Sequence, residues 1–176
     1  MRLFFHLFLV LPLVLTLSSA KEIAVTNFIR DTCKKTMHND LCLTTFQSDP
    51  NSHKADPKGL VAIVLRIAHT KASMTHDRIT ELMVGENNQY MDQCLNDCSE
   101  QYLDAIDQIE DSLAALESNG YSDVNTWVTA AMGDAQACEE EFHDVGSRSP
   151  LTTNNVEFTK LCIISLAILK LVTGSG

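Results

Sequence analysis

Four stretches of this chain carry apolar residues at helical spacing, and no stretch of comparable length alternates with a period of two. That pattern restricts the fold to packed helices. The first stretch begins at Asp56-Pro57, an N-cap followed by a proline at the first helical position. It places Leu60, Val64, Ile67, Met74, Ile79 and Leu82 on one side, until Val84-Gly85 and Asn87-Asn88 interrupt it. In the second, Cys98, Tyr102, Ala105, Ile109, Ser112 and Leu116 recur at alternating steps of four and three, ending at Asn119-Gly120, residue types suited to a left-handed C-cap. Ser122 is the expected cap of the third, whose stripe is Val124, Trp127 or Val128, Ala131, Ala135, Cys138 and Phe142, closed by Gly146 and Ser149-Pro150. Asn154 with Glu157 reads as a capping box for the fourth. Leu161 to Val172 is apolar on nearly every side, which places that last helix deepest in the core.

Short connections between the second, third and fourth helices favour antiparallel neighbours. The expected fold class is all-α, an up-down-up-down four-helix bundle. Ahead of it stands a separate arm, with Phe28, Ile29 and Cys33 on one helical piece and Cys42, Leu43 and Phe46 on another. A mostly polar linker with two prolines, Gln47 to Lys58, leads into the bundle. The chain of 176 residues fits one domain with a sizeable core. Residues 1–20 are read as an export signal, 21–48 as the α-hairpin arm and 49–176 as the bundle.

The export signal rests on a short basic start, Met1-Arg2, and an apolar run from Leu3 to Leu17 broken only by His6, Pro12 and Thr16. Ser18-Ser19-Ala20 then supplies small residues for cleavage after Ala20. A membrane anchor needs about 20 uninterrupted apolar residues, and this run is too short. So is Leu161 to Val172, which Lys170 interrupts. With no N-glycosylation sequon and no ER-retention ending, the expectation is a secreted protein with no membrane contact after cleavage. Its formal net charge is −10, or about −11 once Arg2 leaves with the signal. That balance argues against nucleic acid as a partner, because phosphate contacts need clustered Lys and Arg.

An exported chain with six cysteines, Cys33, Cys42, Cys94, Cys98, Cys138 and Cys162, is read first as disulfide-bonded. Zinc would want paired ligands at short spacings, and His38, His53, His69, His76 and His143 form no such set. Six cysteines permit fifteen connectivities. Cys33–Cys42 would close a short loop, and Cys98–Cys138 would tie the second helix to the third. By loop-closure entropy they contribute about 3 and about 4 kcal/mol. Cys94 and Cys98, one turn apart with diverging side chains, do not suit each other. Cys162 either stays free as a small hydrophobe or pairs with Cys94, which requires helices two and four to approach closely.

No catalytic constellation is legible, and no enzyme is expected. The chain has no Gly-x-Ser-x-Gly, phosphate loop or His-Glu-x-x-His. Asp97, Asp104, Asp107 and Asp111 lie opposite an apolar stripe, as on a solvated helix face. His69 and His76 read as surface residues. No cofactor or metal is implied. One charge run stands apart: Glu139-Glu140-Glu141, with Asp144 beyond, opposes the dipole at a helix C-terminus. It reads either as a solubilising run or as an acidic patch for a basic partner surface.

Six ordered fragments resemble the plant invertase and pectin methylesterase inhibitor family across almost the whole mature chain. They are Ile29-Arg30-Asp31-Thr32-Cys33-Lys34-Lys35 with Cys42; Asp97-Cys98-Ser99-Glu100-Gln101-Tyr102 with Asp104-Ala105-Ile106; Trp127 to Met132; Ala137 to Phe142; Ser149-Pro150-Leu151-Thr152; and Ile164 to Ile168. The resemblance implies bridges Cys33–Cys42 and Cys98–Cys138. It also implies a monomer that covers the active-site cleft of a cell-wall enzyme, without covalent chemistry, in a one-to-one complex. Localisation would be the apoplast or cell wall, with the vacuole as the alternative. An acidic inhibitor surface suits a groove built for the polyanion pectin, which favours pectin methylesterase as target over acid invertase. This sequence departs from both branches: Ala137 replaces a threonine frequent in esterase inhibitors, and Val145 to Ser149 lacks a Pro-Lys-Phe-like stretch found in some invertase inhibitors. The expected target contacts, chosen as non-apolar positions on helices two and three, are Gln101, Asp104, Asn125, Thr129, Gln136 and Glu139, with binding that varies with pH. A different class, a small-ligand carrier, would share the secreted, acidic, helical, six-cysteine character, but the order of cysteine spacings does not match that framework.

Overall fold

The structure, a computed structural model, describes residues 27–174; the export signal and the first residues of the arm lie outside that range. Helix α1 covers residues 27–33 and α2 covers Asn39–Ser48, followed by a 3-10 turn at Ser52–Lys54. Four long helices follow: α3 (Pro57–Met83), α4 (Gln89–Glu117), α5 (Tyr121–Asp144) and α6 (Thr152–Thr173). Each of the four packs on two neighbours, in the ring order α3, α4, α5, α6, with successive helices antiparallel. The fold is all-α.

Local chemistry sets the helix ends. Asp56 Oδ1 accepts the Gly59 N–H at 2.7 Å, and Pro57 opens α3 where its missing N–H costs nothing. Asn88 Oδ1 accepts from Tyr90 and Met91 at the start of α4. Asn119 turns the chain with a φ of 61°, so α5 restarts at Tyr121 directly after Gly120. This tight turn leaves Ser122 inside the helix, not at its cap, and its carbonyl accepts from Thr126. The start of α6 also differs from the capping-box expectation: the cap is Leu151 and not Asn154, so the helix begins three residues earlier, at Thr152. Asn154 Nδ2 instead donates to Thr75 Oγ1 and Glu157 pairs with Lys71, both across to α3.

One continuous core joins all the long helices and includes Ile29, Cys33, Cys42 and Phe46 of the arm. Two members of the sequence stripes leave it. Met74 is 59% exposed, because the buried line of α3 runs through Ala72, Thr75 and Ile79. Thr75 can sit there because its hydroxyl donates to the Lys71 carbonyl. On α5 it is Val128 that is buried, while Trp127 is 39% exposed. Of the four long helices, α6 has the smallest share of exposed residues. Its outer face, Ile163, Leu166 and Leu171, is half-buried and lines an open groove of about 740 Å³ beside Lys35 and Met37 of the arm. Its uniform apolarity serves two neighbours and the arm.

Two disulfides brace this arrangement. Cys33–Cys42 closes the α1–α2 hairpin with Cα atoms 5.5 Å apart, and Cys98–Cys138 joins α4 to α5 with Cα atoms 4.7 Å apart. Cys94 and Cys162 are free and buried, so no third bridge ties α4 to α6. Burial pushes the Cys162 thiol up to about 12, and burial, then Glu141, then Asp97, raise Cys94.

The core also holds a polar chain. Tyr102 Oη donates to Asn155 Oδ1 at 2.7 Å, and Asn155 Nδ2 donates to Glu139 Oε2 at 2.7 Å, linking α4, α6 and α5. The Tyr102 ring packs at a tilt on Phe158, with centroids 5.9 Å apart. Replacing Tyr102→Phe leaves a buried acceptor without its donor and is expected to cost about 1–3 kcal/mol, read from the urea midpoint. A thiol reagent is expected to label the native protein very slowly and to find two thiols per chain in denaturant.

Candidate functional site

Between Arg78 and Arg148 the sequence contains no Lys or Arg, and 16 of its 23 acidic residues. The whole of α4 and α5 falls inside that interval, so the outer face of this helix pair is of one sign. On α4, Glu100, Asp104, Asp107 and Asp111 are exposed, and Gln93 donates to Asp97 at 2.8 Å. On α5, Asp123, Glu140 and Asp144 are exposed. Leu103 and Trp127 are exposed apolar residues on the same two helices. The α3 flank of α4 is tied by His69–Glu110 and His76–Ser99 hydrogen bonds at 2.9 and 3.0 Å, so both histidines are half-buried and partnered by α4. Among the described residues no group of three or more His, Cys, Asp or Glu could hold a metal ion.

The six residues expected as contacts divide across α5. Gln101 and Asp104 stand on the α4 side turned to α5, where Asp104 acts on the Asp134 carboxyl. Asn125, Thr129 and Gln136 form an exposed stripe at spacings of four and seven along α5. Thr129 Oγ1 donates to the Asn125 carbonyl, and Gln136 Nε2 donates to Glu140 Oε1 at 2.8 Å. Glu139 is turned the other way. Its carboxylate accepts from Thr152 Oγ1 at 2.6 Å and from Asn155 Nδ2 at 2.7 Å, at the N-terminus of α6 where the helix dipole favours negative charge. Both oxygens are therefore engaged within the molecule.

Asp134 and Gln108, in the seam between α4 and α5, were not singled out by spacing, since each is one polar residue beside an apolar stripe. The missing signal was available as an absence: both lie inside the interval between Arg78 and Arg148, which contains no Lys or Arg. A burial map is needed to see which carboxylate that matters for.

The molecule is thus a disulfide-braced helical bundle with an anionic face on α4 and α5. Residues 27–168 match the family model described as plant invertase/pectin methylesterase inhibitor, and the chain belongs to that family. The chain is 32% identical over 175 residues to a pectinesterase inhibitor from Actinidia deliciosa, covering 98% of this chain and 95% of the relative. It is 31% identical over 176 residues to a Platanus acerifolia protein bearing an invertase-inhibitor name, covering 96% and 93%. The fold is also that of a crystal structure of a mutant pectin methylesterase inhibitor from Arabidopsis, with a TM-score of 0.68, 22% identity, and coverage of 79% of this chain and 93% of that one. The family model is named for inhibitors, and the Actinidia deliciosa and Platanus acerifolia relatives both bear inhibitor names.

The geometry separates two neighbouring polar residues on α5. Glu139→Ala is expected to destabilise the protein by about 1–3 kcal/mol, because it strands the Asn155 amide in the core. Gln136→Ala, exposed, is expected to stay within about 0.5 kcal/mol. Urea titration of both variants checks the contrast.

Proposed function

We propose that this protein is a secreted inhibitor of pectin methylesterase that acts in the apoplast or cell wall as a monomer, in a one-to-one non-covalent complex. The observation that carries this reading is the cation-free face of α4 and α5. An enzyme that binds a polyanionic polysaccharide lines its groove with positive potential, and an anionic surface is drawn to that groove and held over it. Glu100, Asp104 and Asp107 supply charge without internal partners to displace, and Leu103 and Trp127 supply apolar area to desolvate. Gln101 and Asp104 on α4, with the Asn125–Thr129–Gln136 stripe on α5, form the contact set. Glu139 supports it from behind by holding α5 to α6.

Acid invertase is the second reading, favoured by the near-equal identity to the Platanus acerifolia relative. Invertase binds a neutral sugar, so an acidic face gains less there. Titration of the mature protein against a plant pectin methylesterase and an acid invertase in parallel separates the two. The expected result is inhibition of the esterase that weakens with added salt. The double charge reversal Asp104→Lys/Asp107→Lys is expected to weaken it about tenfold or more, about 1.4 kcal/mol, with an unchanged helical spectrum. Inhibition of neither enzyme from mildly acidic to neutral pH overturns the functional assignment and leaves the fold standing.

A further inference from the structure

The seam between α4 and α5 contains an arrangement that an ionised carboxylate does not satisfy. Asp134 lies on the side of α5 turned to α4, where Asp104 and Gln108 both act on its carboxyl group. Yet Asp134 Oδ2 and Gln108 Oε1 are both buried with no hydrogen-bond partner, and so is Gln101 Oε1, on the same face of α4. Three buried acceptor oxygens on this pair of helices thus each lack a hydrogen-bond donor. The charged group that α4 turns toward Asp134 is Asp104, of the same sign. Neither helix contains a Lys or Arg that could offset it. Burial, then Asp104, push the Asp134 carboxyl above the ordinary 3.8, against a smaller opposing effect of Gln108.

A neutral carboxylic acid and a primary amide are complementary. The amide N–H donates to the acid's carbonyl oxygen, and the acid's O–H donates to the amide oxygen, closing a ring of two hydrogen bonds. An ionised carboxylate accepts from the amide N–H but leaves its second oxygen facing the amide oxygen, acceptor against acceptor. We propose that Asp134 carries a proton in acidic medium and closes such a cyclic pair with Gln108, so that the α4–α5 seam is a pH-sensitive clasp that opens when this proton passes to solvent.

The folded protein holds this proton more tightly than the unfolded chain does. The stability contributed by the clasp is therefore complete below 3.8 and is lost as pH rises through the raised native value. Gln101 and Asp104 stand on the same seam, so on the inhibitory reading above the contact face is best ordered in an acidic wall. The clasp itself does not rest on that reading.

Carbon-detected NMR of the side-chain carboxyls of the full mature protein, titrated across acidic and neutral pH, tests the proposal together with urea unfolding over the same range. The Asp134 signal is expected to titrate with a midpoint above 3.8, and the urea midpoint to fall with pH in that window. In Asp134→Asn the pair becomes amide to amide, keeps both hydrogen bonds and has no proton to lose, so this pH-dependent component disappears. A native midpoint at or below 3.8, or an unchanged pH slope in Asp134→Asn, overturns the clasp. If the variant does not fold, the titration of the native protein decides alone. Neither readout depends on whether any enzyme is inhibited.

Discussion

The bond between Cys98 and Cys138 fixes how α4 and α5 lie against one another, and most of what distinguishes this molecule follows from that register. With these Cα atoms 4.7 Å apart on antiparallel helices, Ala105 falls opposite Ala131, two turns along. Both alanines are fully buried, as is Ala135, so the helices can approach closely. The same register sets the free thiol of Cys94 against the Glu141 carbonyl, at 3.4 Å, one turn beyond the bridge on the other side. It also brings Asp104 and Gln108 to Asp134. A shift of one residue in either helix would scatter these groups.

A second constraint runs crosswise. The chain of hydrogen bonds from Tyr102 through Asn155 to Glu139 ties three helices through groups that are costly to leave unpaired in an apolar interior. Asn155 is only 4% exposed, so its amide has no solvent to fall back on. Hydrophobic burial holds the four helices together without specifying their rotation; this chain of donors and acceptors specifies it. At the opposite end of the bundle, Lys58 Nζ donates to the Glu117 carbonyl and to Asn119 Oδ1, which closes the α4–α5 turn onto the start of α3.

The helices were legible because their apolar stripes recur over 22 to 29 residues, long enough for a period to show. The start of α3 was legible because Asp56-Pro57 is a local signal. The starts of α5 and α6 were not, since Asn119 and Gly120 turn the chain faster than a serine cap would, and Asn154 with Glu157 is recruited by α3. For the candidate site, Gln101 and Asp104 could be named as polar residues on the right helix. That Glu139 turns inward to α6 could not, because its partners Thr152 and Asn155 lie on another element. The special position of Asp134 depends on what faces it across the seam, which no spacing along one helix reveals.

The cation-free stretch has a consequence for anyone handling the protein. Trypsin cuts after Lys and Arg, so digestion releases residues 79–148 as one uncut fragment holding Cys94, Cys98 and Cys138 together. A tryptic mass map therefore reads the same whichever of Cys94 or Cys98 is joined to Cys138. A protease that cuts at acidic residues resolves them, because Asp97 stands between the two.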